Sequence, residues 1–192
     1  MSKECKGLVV TVSGLHGTGK STYAQALAES FGLRHISAGM LFRQIADERG
    51  LSLQQLSDLS VKDSTIDRLV DERVEKEARE GSVVIDGQLP AWIARRYANI
   101  KIFLSASDKT RFERIAARDG ISFKEAEELT RRRELLEKIR YKKHYNINIE
   151  DLSIYNIIFD TELLPMESNI TVFKTILKEY INNVKLGGKD AK

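Results

Sequence analysis

Residues 7–22 read GLVVTVSGLHGTGKST, and the order of their parts decides the fold. Leu8 to Val12 is a short apolar, β-branched run, the pattern of a buried strand. It leads into Gly14, Leu15, His16, Gly17, Thr18, Gly19, Lys20 and Ser21, which match G-x-x-x-x-G-K-[ST] without a mismatch. From Ser21 to Phe31 the spacing turns helical, with Tyr23, Ala24, Leu27, Ala28 and Phe31 on one face.

The residue types have a chemical reason. A polyphosphate held against the main chain requires side chains to be absent where it passes, and glycine allows the turns that aim successive N–H groups inward. The helix that follows adds free N–H groups and the positive end of its dipole. Lys20 supplies a cation for the β- and γ-phosphates, and Ser21 a hydroxyl for Mg²⁺. Gly14 to Thr22 are therefore the candidate residues for binding a nucleotide's phosphates, with ATP and GTP both open at this point.

The chain has 192 residues, enough for one sizeable core and few for two full domains. Hydrophobic residues make up 42% and charged residues 31%, as expected of a globular protein with a polar surface. Cys5 is the one cysteine, so no internal disulfide framework exists, and the reading is a reducing, cytoplasmic setting. The first apolar run is too short for a signal peptide or a membrane span. The three histidines, His16, His35 and His144, are scattered without metal-ligand spacing. No membrane or nucleic-acid partner is expected, and a monomer is.

Net charge is +3, but from Asp108 to Lys143 twelve Lys or Arg stand against eight Asp or Glu. That one segment carries the whole positive excess. Without aromatic interleaving it reads as a polyphosphate-facing or solvated surface rather than a nucleic-acid groove.

Outward from the loop, apolar strands alternate with helical stretches. A turn leading into a very short strand is expected within 32–37, and further short strands at 82–87, 100–104 and 155–160. Helices are expected at 38–49, 52–59, 63–80, 107–118, 122–145 and 166–184, with one or two helical turns at 90–97 and a frayed GGKDAK tail. In the 63–80 helix, Ile66, Leu69, Val70, Val74, Glu77 and Ala78 follow the i, i+3, i+4 pattern. The alternation predicts a parallel sheet wrapped by helices. Two all-helical stretches, 38–80 and 119–150, interrupt it and are expected above the carboxyl ends of the strands, where ligands bind.

Three groups of residues bear on chemistry. Asp86 ends a strand and is followed by Gly87, so it can reach the Mg²⁺ or its waters. Ser37 and Gly39 open a helix that carries Arg43 in reach of an anion. Arg114 and Arg118 are spaced i, i+4, and Arg131, Arg132, Arg133 and Arg140 follow. Phosphoryl transfer needs several such cations and little covalent machinery.

With these elements in place, the chain resembles the nucleoside monophosphate kinases, most of all the archaeal type of cytidylate kinase. The resemblance covers nearly the whole length. It rests on the phosphate loop, His35-Ile36-Ser37-Ala38-Gly39-x-x-Phe42-Arg43, and Ile85-Asp86-Gly87 with Trp92. It also rests on Ile102-x-Leu104-x-Ala106, Arg114-Ile115-Ala116-x-Arg118-Asp119-Gly120, Arg133-Glu134-x-x-Glu137-x-x-Arg140-Tyr141 and Asp151-Leu152-Ser153-Ile154-Tyr155.

The resemblance implies a P-loop NTPase-like α/β fold with a five-stranded parallel sheet. Its parts would be a core (1–37, 81–118 and 151–185), a monophosphate-binding insertion (38–80) and a lid (119–150). It implies transfer of the γ-phosphoryl group of ATP to CMP or dCMP with Mg²⁺. Arg43, with Ser37, Gly39 and residue 88, would hold the acceptor. Lys20, Arg114, Arg118, Arg133 and Arg140 would face the phosphates, and Asp86 would reach the metal through water.

One position departs from the pattern. The resemblance implies an arginine, the usual residue directly after the Asp-Gly or Glu-Gly pair, and here Gln88 stands there, with Pro90-Ala91 before Trp92. An amide brings no charge to a phosphate. A weaker acceptor site, a different acceptor, and compensation by Arg95 or Arg96 all remain open. Two other functions compete: another monophosphate kinase taking AMP or UMP, and an ATPase or switch module acting on RNA or a protein.

Overall fold

The computed structural model describes residues 7–184; Cys5 and the GGKDAK tail lie outside the described residues. Five parallel strands run β1 (Val9–Gly14), β2 (Arg34–Ser37), β3 (Val83–Asp86), β4 (Ile100–Ser105) and β5 (Ile157–Asp160), in the spatial order β2-β3-β1-β4-β5. β1 is the central strand and is buried along its whole length, which its β-branched run requires. It pairs with β3 on one side (Val9 with Val83 through Val12 with Asp86) and with β4 on the other (Val10 with Ile100 through Gly14 with Leu104). The chain visits one side of β1 and then the other, so the strand order switches at its carboxyl end, where open α/β sheets bind ligands.

Helices cover both faces of the sheet. On one, α1 (Lys20–Phe31) and α8 (Met166–Asn183) pack Leu27, Phe173 and Leu177 against Val10, Val12 and Ile102. Tyr23 meets Phe173 edge-on, with ring centroids 5.6 Å apart. On the other face, α4 (Thr65–Glu80) lays Ile66, Val70, Val74 and Ala78 against Val9, Val83 and Ile85. The short α5 (Pro90–Ile93) joins β3 to β4.

Two parts of the α4 pattern differ from expectation. Leu69 is 47% exposed, because the packed row runs at i+4 spacing from Ile66 and leaves Leu69 to one side. Glu77 is buried as an ion rather than an apolar face residue, held by Arg34 and, at 2.6 Å, by Arg73.

Between β2 and β3 stand α2 (Ala38–Glu48), α3 (Leu53–Ser60) and α4. Ser37 caps α2 through the Met40 N–H, and Ser52 with Gln55 forms a capping box on α3. Between β4 and β5 come α6 (Asp108–Asp119) and α7 (Phe123–Tyr145), broken apart by Gly120, whose φ of 67° suits glycine. The long α7 packs against α6 at one end and α3 at the other, so it crosses the carboxyl edge of the sheet from one helical group to the other.

Candidate functional site

The phosphate loop is held open by its own geometry. Gly17 has φ +83°, and a Cβ there would sit 2.4 Å from the Arg111 carbonyl oxygen; at Gly14 the same atom would sit 2.4 Å from the Leu104 carbonyl oxygen. Only glycine fits these two positions. Thr18 Oγ1 and Lys20 Nζ each donate a 2.8 Å hydrogen bond to the Leu15 carbonyl. Burial pushes the Lys20 ammonium down to about 8, although Asp86 and Glu137 favour its charge.

Opposite the loop, parallel pairing brings the ends of β3 and β1 level, and this sets Asp86 beside Ser21. Ser21 Oγ donates to Asp86 Oδ2 at 2.7 Å, Ser37 Oγ donates to the same oxygen at 3.2 Å, and His35 Nε2 lies 2.7 Å from Oδ1. Asp86 is thus buried with three partners that fix its direction. Ser21 and Asp86 are hard oxygen donors side by side at the mouth of the loop. They fit a Mg²⁺ that takes its remaining ligands from water and nucleotide phosphates, and among the described residues no group of three or more His, Cys, Asp or Glu forms a self-sufficient metal site.

A cavity of about 1150 Å³ extends from this point over the sheet edge. Lys20, Ser21, Ser37, Gly39, Arg43 and Gln88 all line it. Arg114, Arg118, Arg133 and Arg140 reach its wall from α6 and α7. Arg114 spans the gap between the loop and the segment after β5, with Nη1 2.9 Å from Thr161 Oγ1 and 3.4 Å from the Gly17 carbonyl. Arg118 pairs with Asp119 at 2.7 Å. Burial, and then the nearby charges of Arg133 and Arg118, lower the Arg43 guanidinium below its ordinary value. Four arginines from α2, α6 and α7 (Arg43, Arg114, Arg118 and Arg133) therefore line one space, and Arg43 has no ion pair among the described residues. Such a convergence is a receptor for an anion of high charge.

Two residues expected here are placed differently from the rest. Arg140 turns away from the other arginines to Asp67, at 3.0 Å, with its guanidinium 5.3 Å from the Phe42 ring centroid. The Gln88 amide nitrogen is 2.8 Å from His16 Nε2 and also donates to Glu137 Oε2. Arg95 and Arg96 are exposed and outside the cavity lining.

Several residues of the site were not singled out from the sequence. Arg111, 2% exposed, donates from Nη1 to the His16 carbonyl at 2.7 Å and to Glu134 at 2.6 Å, and from Nη2 to Asp108 at 2.6 Å. Glu134 in turn accepts the His16 N–H at 3.2 Å. Glu137 accepts from Arg133 Nε at 3.0 Å and lies 2.8 Å from His16 Nε2. Burial acts against the charge of Glu137, but His16, Arg133 and Arg140 outweigh it and hold the carboxyl well below the usual carboxylate range. The loop is thus gripped from outside by α6 and α7. Glu134 and Glu137 stand in the sequence inside the Arg133-Glu134-x-x-Glu137-x-x-Arg140-Tyr141 motif without a role of their own, and Arg111 reads as solvated surface.

Comparison with known proteins points one way. The model of the cytidylate kinase-like family matches residues 9–163. A cytidylate kinase from Staphylothermus marinus is 42% identical over 174 residues, spanning 91% of this chain and 98% of that protein. One from Pyrococcus abyssi is 41% identical over 184 residues, spanning 96% and 100%. Among solved structures, an uncharacterized protein from Eubacterium ventriosum aligns with a TM-score of 0.66 at 18% identity, covering 92% of this chain and 99% of that one. A shikimate kinase from Acinetobacter baumannii, in complex with shikimate, aligns with a TM-score of 0.61 at 15% identity, covering 96% and 100%. At these identities the two structures speak for the fold alone.

Proposed function

The chain belongs to the cytidylate kinase-like family, and from that premise we propose that it transfers the γ-phosphoryl group of ATP to the phosphate of CMP, and of dCMP. The observation that carries the reading is the arrangement of one cavity: the phosphate loop with Lys20 on one side, and Arg43, Arg118 and Arg133 on the other.

The roles follow from position. Gly14 to Thr22 hold the donor's polyphosphate, and Lys20 leaves the Leu15 carbonyl to meet its charge. Arg43 and Arg133 draw in the acceptor's phosphate, with Ser37 and Gly39 at its side. Arg114 and Arg118 supply charge where it builds up on the transferring group. No general base is needed, because the attacking group is an already ionised phosphate oxygen. Ser21, and Asp86 through water, would hold Mg²⁺, which when bound neutralises phosphate charge and aligns the donor. Residues 38–80 act as the acceptor-binding part and 119–150 as a lid over the core, excluding water from the transfer. No described helix is long and apolar enough to cross a membrane, and we place the enzyme in the cytoplasm as a monomer.

The test is an acceptor panel with ATP and Mg²⁺: CMP, dCMP, UMP, AMP and GMP. Cytidine monophosphates are expected to give the highest kcat/KM. A preference for AMP or GMP would assign a different kinase activity.

A further inference from the structure

Arg114 reaches the phosphate loop from α6, and its anchors are unlike those of its neighbours. Arg118 pairs with Asp119 and Arg133 with Glu137, whereas Arg114 has no ion pair among the described residues. Its Nη1 donates to two neutral oxygens, Thr161 Oγ1 at 2.9 Å and the Gly17 carbonyl at 3.4 Å, and its other nitrogens make no hydrogen bond among the described residues. The two acids that flank Thr161 are engaged elsewhere. Asp160 Oδ1 accepts the Glu162 N–H at 2.9 Å, and the Glu162 carboxylate accepts from the Ser107 N–H, the Ser107 hydroxyl and the Thr110 hydroxyl.

Thr161 is arranged as an acceptor. It follows β5 directly and is 2% exposed. Its N–H donates to the Ser105 carbonyl at 2.9 Å, and its hydroxyl donates to the same oxygen at 3.1 Å. The one hydroxyl proton is thereby committed, and the lone pairs are left for a donor. Toward Arg114 this hydroxyl can only accept. The turn that carries it is fixed as well: Asn169, fully buried on α8, donates from Nδ2 to the Thr161 carbonyl at 3.1 Å and to the Leu164 carbonyl at 3.0 Å.

A carboxylate in place of the hydroxyl would hold Arg114 more strongly but would offset much of its charge. A neutral acceptor sets the direction of the guanidinium without doing so. We propose that Thr161 is a positioning residue for phosphoryl transfer: its hydroxyl holds Arg114 beside the phosphate loop and leaves the charge of Arg114 for the phosphates. A cation fixed in advance costs no reorganisation when charge develops on the transferring group. The assignment rests on the role given above to Arg114.

The experiment is a double-mutant cycle of Thr161→Val and Arg114→Ala. Valine keeps the branched shape and removes the oxygen. Thr161→Val should cost at least about tenfold in kcat/KM for ATP, as displaced catalytic groups do, with KM for CMP and Tm little changed. Thr161→Ser keeps the hydroxyl and should stay within about twofold of the wild type, and in the Arg114→Ala background Thr161→Val should cost less than about twofold, because its partner is already gone. Affinity for a β,γ-imido analogue of ATP with Mg²⁺ needs neither turnover nor acceptor, and it should repeat the pattern, with a loss of at least about threefold for Thr161→Val. An enzyme indifferent to Thr161→Val, or a loss that is the same with and without Arg114, would overturn the assignment and leave the kinase reading intact. Should Thr161→Val not fold, Thr161→Ala carries the same comparison. A wild type that phosphorylates no nucleoside monophosphate would overturn the kinase reading, and the analogue affinities would still decide for or against Thr161.

Discussion

His16 Nε2, in the phosphate loop, lies 2.8 Å from Glu137 Oε2 on α7. The contact joins segments 121 residues apart in the chain, and the Gln88 amide closes it on a third side. The phosphate loop is thus tied directly to the helix that carries Arg133 and Arg140.

Acid stability should report this tie. The Glu137 carboxyl is depressed in the folded chain from its ordinary 4.5 to about 2: burial opposes its charge, but His16, Arg133 and Arg140 prevail. A depressed carboxyl contributes stability that is complete above the unfolded value and is lost as pH falls through the folded one. Glu137→Gln should therefore lower Tm by several degrees at neutral pH. The gap to the wild type should close as the pH is taken from about 4.5 downward. Thermal unfolding across that range checks it.

Lys20 gives a second pH signature. Burial lowers its ammonium to about 8 in the free enzyme. Below that value the side chain is charged and ready for a polyphosphate; above it, binding must first restore a proton. The profile of kcat/KM for ATP reports groups of the free enzyme, so it should descend on the alkaline side near pH 8. Lys20→Ala should cost at least about a hundredfold in kcat while Tm and circular dichroism stay near wild type. A near-normal rate would remove Lys20 from the mechanism.

His35 holds one oxygen of Asp86 at 2.7 Å while Ser21 and Ser37 hold the other. Partners of this kind orient the groups around a metal, and losing one costs about 10–100-fold in metal affinity or activity. His35→Ala should raise the Mg²⁺ concentration needed for half-maximal rate by about that factor. Titration of the initial rate with Mg²⁺ at saturating nucleotides is the measurement, and an unchanged curve would make His35 a structural residue only.

Gln88→Arg tests whether residue 88 serves the acceptor's phosphate. The Gln88 amide reaches Glu137 and His16 at the edge of the acceptor space. A guanidinium there would add a permanent charge and a fork of donors. KM for CMP should fall by roughly tenfold, the gain of a charge-assisted contact, with kcat little changed. An unchanged KM would mean that Glu137 alone absorbs the added charge and that Arg43 and Arg133 hold the phosphate without residue 88.

The sequence made the sheet and the loop readable because both are written in contiguous residues. A β-branched run, a glycine spacing and a helical face need no partner to be recognised. Arg111 was not readable as a site residue, and Glu134 and Glu137 stood in a quoted motif without a role, since on the charged helices α6 and α7 each looks like solvated surface until the fold brings the phosphate loop against it. Asp67 was hidden differently: it lies one position after the apolar Ile66 on an amphipathic helix, where a charge reads as the outer face. Arg140 was read as one cation in a basic run, and only its packing against Phe42 and Asp67 separates it from Arg43, Arg118 and Arg133. Ion pairs and desolvation act between residues far apart in the chain, and spacing along it does not record them.

The central claim is a transfer between two bound nucleotides. Its most direct test is the stoichiometry of products from ATP and CMP with Mg²⁺, followed by ³¹P NMR. The account predicts CDP and ADP appearing in equal amounts, with negligible inorganic phosphate whether or not CMP is present. ATP consumption that yields inorganic phosphate without CDP, or that RNA stimulates and CMP does not, would contradict it.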